Sequence, residues 1–289
     1  MQRLIFDRKS YTPSGFVRSA VFIGKEYLHR RRDPSFRVDF VEDGERKKEA
    51  LAYSEALRSD GILLLPSYFK GEFLHKLQTA LHDAVKDSPA RGVDDAWRHE
   101  DAVSTSPAIL AAALDDFLLE IMGHYYGKPF GLGRADATRL MPTPPKRNES
   151  YQWHHDTRGR QIHMMVLLND VTSAGQRMSY LRGSNDVYYD RYRGEGHGSR
   201  FETDMTKSGY SKEDVVELIG PAGTVGLFDS NGLHSGNRND KEQRDCLLFC
   251  FVSKERHFKH VSCRRSVLAG LPEAKRKLVE INPRLSLLD

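Results

Sequence analysis

The stretch "YQWHHDTRGRQIHMMVLLNDV", residues 151–171, changes character midway: His154, His155 and Asp156 stand together, and an apolar run follows. In an extended chain alternate side chains share a face, so His154 and Asp156 point one way and His155 the other. An imidazole and a carboxylate on one face of a strand end suit a metal ion, or a hydrogen-bonded pair in a loop. A third donor from elsewhere in the chain has to decide. The run "IHMMVLLNDV" is short and strongly apolar, as a buried strand is.

Working outward, more strand-like runs flank this one. "RADATRLMP" precedes it, ahead of the loop "TPPKRNESY". "GQRMSYLRGS" follows as a strand with a turn. "VVELIGPAGTVGLFDS" reads as two strands around Pro221-Ala222-Gly223, and "RDCLLFCFVS" as a last strand. Before Gly127 the pattern is helical. "RKKEALAYSEALRS" ends at Asp60-Gly61, and "ILLLP" is a short buried strand closed by Pro66. "GEFLHKLQTALHDAVKD" carries Phe73, Leu74, Leu77, Leu81 and Val85 at helical spacing. "SPAILAAALDDFLLEIMGHYYG" reads as one helix, with Ser106 as N-cap, Pro107 in the first turn and Gly127 as the stop.

Helices followed by a run of strands give an α+β class with an antiparallel core, a sandwich or jelly roll. The expected layout is one domain over 1–289. It has an irregular extension at 1–45, helices at 46–127 and a β core at 128–255. A lid-like polar insert occupies 186–214, and a tail at 256–289 holds a short helix.

Composition excludes several classes. With 39% hydrophobic and 29% charged residues the chain is globular, and no apolar run approaches the roughly 18 residues of a membrane span. A net charge of +4 with scattered arginines, and no reading motif beside "HRRRDPSFR", argues against nucleic acid. "MQRLIFDRKSYTPSG" has no apolar signal core. The cysteines Cys246, Cys250 and Cys263 are odd in number and lack ligand spacing. They read as buried thiols in a reducing, cytoplasmic setting.

The best candidate for the third donor is His234, after the strand in "GTVGLFDSNGLHSGNRND". Two histidines and a carboxylate make the facial triad of non-haem Fe(II) oxygenases. Arg244 opens the next strand, and its planar fork suits the far carboxylate of a dicarboxylic keto acid. His163, His197, His257 and His260 show no carboxylate at ligand spacing and read as ordinary.

This ordered set resembles the phytanoyl-CoA dioxygenase-like branch of the Fe(II)/2-oxoglutarate-dependent oxygenases. The matching residues are "DGILLLP" (60–66), "WHHD" (153–156), "GQRMSYLRGSN" (175–185) and "GTVGLFDSNGLHSGNRN" (223–239) with Arg244, within roughly residues 55–255. Arg182 and Asn185 stand where that family commonly has proline and histidine. The resemblance implies a double-stranded β-helix with flanking N-terminal helices. It implies Fe(II) on His154, Asp156 and His234, and 2-oxoglutarate with its far carboxylate on Arg244. It also implies O2 as the oxidant, with succinate and CO2 as products.

Thr138, His155 and Ser235 are further candidates at the cosubstrate. Arg139, Arg158 and Arg182 are candidates for an anionic group on a small-molecule substrate. Iron halogenases of similar layout carry a small residue where this chain keeps Asp156, so hydroxylation is the default; desaturation, epoxidation or ring formation use the same oxidant. A macromolecular hydroxylase, a non-catalytic β-core binding module and a metal hydrolase are the alternatives. The intact triad disfavours the second, and a hydrolase has no need of Arg244.

Overall fold

The computed structural model describes residues 31–86, 96–142, 153–154, 156, 161–185, 211–236, 241–253 and 258–289. It also describes the backbone of 4–5, 90–91, 186, 188–189 and 200–201. His155, Arg158 and most of the expected lid lie outside the described residues.

In chain order the strands are β1 (Leu4–Ile5), β2 (Ile62–Leu65), β3 (Ala90–Arg91), β4 (Ala96–Glu100), β5 (Phe130–Leu140), β6 (Trp153–His154), β7 (Gln161–Leu167), β8 (Met178–Leu181), β9 (Tyr188–Tyr189), β10 (Arg200–Phe201), β11 (Val215–Leu218), β12 (Val225–Asp229), β13 (His234–Gly236), β14 (Arg244–Ser253), β15 (Val261–Arg264) and β16 (Leu285–Leu288). The helices are α1 (Gly44–Asp60), α2 (Gly71–Lys86), α3 (Pro107–Ala113), α4 (Asp116–Tyr126), α5 (Arg265–Ala269) and α6 (Glu273–Glu280). A seven-stranded sheet runs β2-β12-β7-β14-β5-β4-β3, and a five-stranded sheet β10-β6-β13-β8-β11. Every pairing in these two sheets is antiparallel. After β5 the chain passes repeatedly between the sheets, which is the winding of a double-stranded β-helix. β11 and β12, read from sequence around one turn, belong to different sheets.

Two apolar layers hold this together. Ile62, Met165, Leu167, Phe228 and Cys246 of the large sheet meet Met178, Tyr180 and Leu218 of the small one. The other face of the large sheet, with Ala135, Ala137, Ile162, Met164, Val166, Val225, Leu227, Leu247, Phe249 and Phe251, packs in one cluster with residues of helices α1 to α4. Burying a side chain of this size contributes about 1.5–3 kcal/mol. Tyr126 pins α4 to the sheet: its hydroxyl donates to the Phe251 carbonyl at 2.7 Å and accepts from the Ile162 N–H at 2.9 Å.

Local chemistry sets the breaks. The helix expected over 106–126 is two helices. Asp115 is extended, with φ −63 and ψ 129, and its carboxylate accepts from the N–H groups of Phe117 and Leu118, so it caps a new helix. α1 stops at Gly61, in the left-handed region at φ 78. A Cβ there would stand 2.3 Å from the Tyr180 hydroxyl, so glycine is required by conformation and by space. The strand β4, "AWRHE", escapes a reading of apolar periodicity because two of its inward positions, Arg98 and Glu100, are charged. Among the described residues no helix is long and apolar enough to cross a membrane.

Candidate metal centre

His154 on β6 and His234 on β13 are directly opposed in register. Their rings stand 4.4 Å apart between centroids. The Nε2 atoms of both lie 3.7 Å from Asp156 Oδ1. One ligand atom from each of His154, Asp156 and His234 falls within 4.8 Å of the others, a separation at which three donors close on one ion.

The turn before His234 is built by the residues around it. Asp229 accepts from the Tyr125 hydroxyl at 2.5 Å and from the Asn231 N–H at 2.9 Å, while its carbonyl accepts from the Tyr180 hydroxyl. The Ser184 hydroxyl accepts from the Leu233 N–H, and the Asn185 carbonyl accepts from the Asn231 amide. A Cβ on Gly232 would meet the Tyr180 hydroxyl at 1.8 Å, so only glycine passes there. The Asp156 N–H donates to the Ser230 carbonyl at 2.9 Å, tying the two ligand-bearing loops together. The motifs "DG", "GSN" and "DSNG" are therefore one hydrogen-bonded assembly behind His234.

Electrostatics leaves His234 and Asp156 in ligating form. Burial lowers the His234 pKa despite the opposing charge of Asp156, so its ring is neutral. The Gly232 carbonyl lies 3.0 Å from Nδ1, which directs Nε2 at Asp156. Burial raises the Asp156 pKa, but His234, His163, His154 and Arg134 together outweigh it and hold the group below the usual carboxylate range.

His163, read from sequence as ordinary, is a neighbour of this centre. Its Nε2 lies 3.7 Å from Asp156 Oδ2, the oxygen opposite the one that faces His154 and His234. The Gln161 amide nitrogen is 2.7 Å from the same ring atom, and the ring packs edge-on against Phe228. Burial pushes its pKa down to about 4. The signal was present: His163 alternates with Met165 and Leu167, which line the interior between the sheets.

Arg244 shares the inner face of β14 with Cys246 and Leu248. Its Nη1 donates to the Gln176 carbonyl at 2.6 Å, and its Nε is buried without a hydrogen-bond partner among the described residues. Thr138 is buried on the inner face of β5, opposite Cys246. Ser235 is buried on the face of β13 away from His234, opposite Ser179.

Two expected substrate contacts are engaged elsewhere. Arg139 donates to Asp245 through Nε at 2.9 Å and Nη2 at 2.8 Å, on the helix-facing side of the sheet. Strand alternation turns it away from Thr138. Arg182 is exposed beyond β8 and donates to Asp60 at 2.9 Å.

Comparison with known proteins places the fold. No protein-family model matches the chain, and no curated protein matches it in sequence. Solved structures do. The epimerase SnoN, determined with Fe3+, alpha ketoglutarate and nogalamycin RO, superposes with a TM-score of 0.59 at 16% identity, covering 72% of this chain and 84% of that one. EctD from S. alaskensis, with 2-oxoglutarate and 5-hydroxyectoine, gives 0.56 at 19%, covering 80% and 85%. HygX from Streptomyces hygroscopicus, with nickel, 2-oxoglutarate and hygromycin B, gives 0.53 at 19%, covering 70% and 86%. The fold of this chain is thus the one shared by these metal- and 2-oxoglutarate-binding proteins, with the His154–Asp156–His234 cluster between its sheets.

Proposed function

We propose that the chain is a non-haem Fe(II)- and 2-oxoglutarate-dependent oxygenase that oxidises, by default hydroxylates, an unactivated C–H bond of a small molecule. The observation that carries this reading is the convergence of two imidazoles and one ionised carboxylate, from loops and strands locked together behind them. That donor set fits Fe(II) and leaves coordination positions free. The buried, unpartnered Nε of Arg244 fits a carboxylate, and Thr138 on the same interior face is a further contact for the keto acid. Bound there, Fe(II) with 2-oxoglutarate and O2 would supply the oxidising power for C–H chemistry, with succinate and CO2 as co-products.

The chain's own part is to hold and to shield. The Gly232 carbonyl sets the His234 tautomer, Asp156 stays ionised, and the apolar interior beneath them excludes water. The superposing structures hold nogalamycin RO, hygromycin B and 5-hydroxyectoine, which favours a small-molecule substrate over a macromolecule. One neighbour is described as an epimerase and another as a carbocyclase, so placement of the substrate decides the outcome. Three buried free thiols suit a reducing, cytoplasmic setting.

The test is anaerobic titration of the metal-free protein with Fe(II) and 2-oxoglutarate, followed by visible absorbance. A weak charge-transfer band in the wild type, lost in His234→Ala and requiring more 2-oxoglutarate in Arg244→Gln, is expected. No band in folded, iron-replete wild type would sink the reading.

A further inference from the structure

We propose that Arg98, backed by Arg134, anchors a carboxylate on the substrate. The oxygenase reading says what that substrate is for; the anchor itself stands on separate residues. Three observations meet here. A β-bulge falls at Gly133: Cys250 pairs with Arg134 but Phe251 with Leu132. The extra residue shifts the alternation, so Leu132 stays in the helix-side core while Arg134 and Asp136 turn to the interior. Bulges of this kind re-aim side chains beside functional sites. On the adjoining strand Arg98 is opposite Thr138, and Glu100 is opposite Asp136.

Two buried polar atoms are left unmet in this group. Arg134 donates to Asp136 Oδ2, and Arg98 Nε lies 3.9 Å from the same oxygen. One carboxylate therefore faces two guanidinium groups. Glu100, the other acid on this face, is exposed at the strand end, and its charge also acts on Arg134. Arg98 Nε and Asp136 Oδ1 are both buried without hydrogen-bond partners among the described residues. A desolvated donor on a cation and a desolvated acceptor on an anion are each costly to leave unmet. A ligand carboxylate would satisfy the first, and a neighbouring hydroxyl or amine on the same molecule the second.

The location is right for a substrate. Arg134 and His163 pair with Cys250 from either side of β14 and so share the interior face of the sheet, and His163 Nε2 lies 3.7 Å from Asp156 Oδ2. Arg98 adjoins Thr138 but stands off from Arg244, since β4 lies two strand spacings, about 10 Å, from β14. The anchor at Arg98 is for a second carboxylate, separate from the one on Arg244. Arg139 and Arg182, two of the three arginines expected from sequence to meet an anion, are occupied by Asp245 and Asp60, whereas Arg98 Nε has no hydrogen-bond partner among the described residues.

The test uses the full chain, metal-free and loaded with Ni(II) and 2-oxoglutarate, in calorimetric titrations. The probes are benzoate, phenylacetate and 3-phenylpropionate, each beside its primary amide. We expect at least one acid to bind and its amide to fail. Arg98→Gln should weaken that acid by about tenfold or more. Arg98→Lys should fall between, because it keeps the charge and loses the fork. Arg134 still pairs with Asp136 in both variants, and circular dichroism checks that each is folded. Arg244→Gln should weaken 2-oxoglutarate and spare the acid. The proposal is overturned if amides bind as well as acids, if both Arg98 variants bind the acid like wild type, if no acid binds at millimolar concentration, or if the acid is lost with Arg244→Gln. If the wild type takes up the acid through Arg98 but binds no 2-oxoglutarate, the anchor stands and the oxygenase reading fails.

Discussion

The large sheet has two faces made by the same strands, and they differ in kind. Toward the helices, β5, β7, β12 and β14 present Ala135, Ala137, Ile162, Met164, Val166, Leu227, Leu247, Phe249 and Phe251, all buried and apolar. Toward the small sheet the alternate positions carry His163, Arg134, Asp136, Thr138, Arg244 and two cysteines among fewer apolar groups. One face is a packing surface and the other a lining. The comparison teaches that position along a strand says less about role than parity does, and that one bulge at Gly133 exchanges the two roles.

The largest effect should fall on the packing face. Phe249 is fully buried in the helix-side cluster. Phe249→Ala should destabilise by about 3–5 kcal/mol in urea unfolding, since the site is closed on all sides. A loss under about 1 kcal/mol would mean that the helices are loosely seated there and that the two faces are less different than they look.

On the lining face the corresponding experiment is acidification of the metal-free protein. His163 has a folded-state pKa of about 4 against an ordinary 6.5, so the unfolded chain binds the proton more readily. Stability is then complete above about pH 6.5, is lost as pH falls toward 4, and should decline by about 3 kcal/mol over that window. His234 is shifted in the same direction and adds to the slope. Asp156, held low, contributes only below the ordinary carboxylate range. His163→Phe should flatten the curve by its own share. An unchanged slope would show that His163 is not held neutral. The same variant should cost about 10–100-fold in Fe(II) affinity, because Asp156 Oδ2 loses its neighbour.

A smaller effect is expected where the two faces communicate. Tyr125 leaves α4 on the packing side and reaches Asp229, whose backbone opens the turn to His234. Tyr125→Phe removes a donor from a buried carboxylate that keeps a backbone N–H, so about 1–2 kcal/mol is expected. Fe(II) affinity should fall with it. Unaltered affinity at reduced stability would show that the Asp229 turn supports the fold without aiming His234.

Much of this was legible in the residues. Strands rich in apolar side chains announced themselves, and the donors His154, Asp156 and His234 could be joined because each sat at a strand end in a turn-forming context. What escaped had a common cause. β4 and the inward half of β5 carry charge where a strand usually carries Val or Leu, so Arg98, Arg134 and Asp136 gave no periodic signal. His163 was hidden by the opposite effect, one imidazole inside an otherwise apolar run. The break at Asp115 was hidden because flanking apolar residues continue the helical period across it. Arg139 drew attention by lying beside Thr138, but adjacent residues on a strand face opposite ways, and its partner Asp245 becomes visible only once β5 and β14 are in register.

Arg139 therefore gives the last and smallest test of the two faces. Its bidentate pair with Asp245 is partly exposed, with side-chain accessibilities of 19% and 12%. Solvent screening limits such a pair to about 1 kcal/mol. Arg139→Gln should thus lower stability by no more than about 1 kcal/mol. Because the side chain points to the helix side, binding of 2-oxoglutarate and of the aromatic acids should not change. A tenfold loss of either ligand in a folded Arg139→Gln protein would place Arg139 on the lining face. The parity argument that separates packing from chemistry in this sheet would then have to be given up at β5.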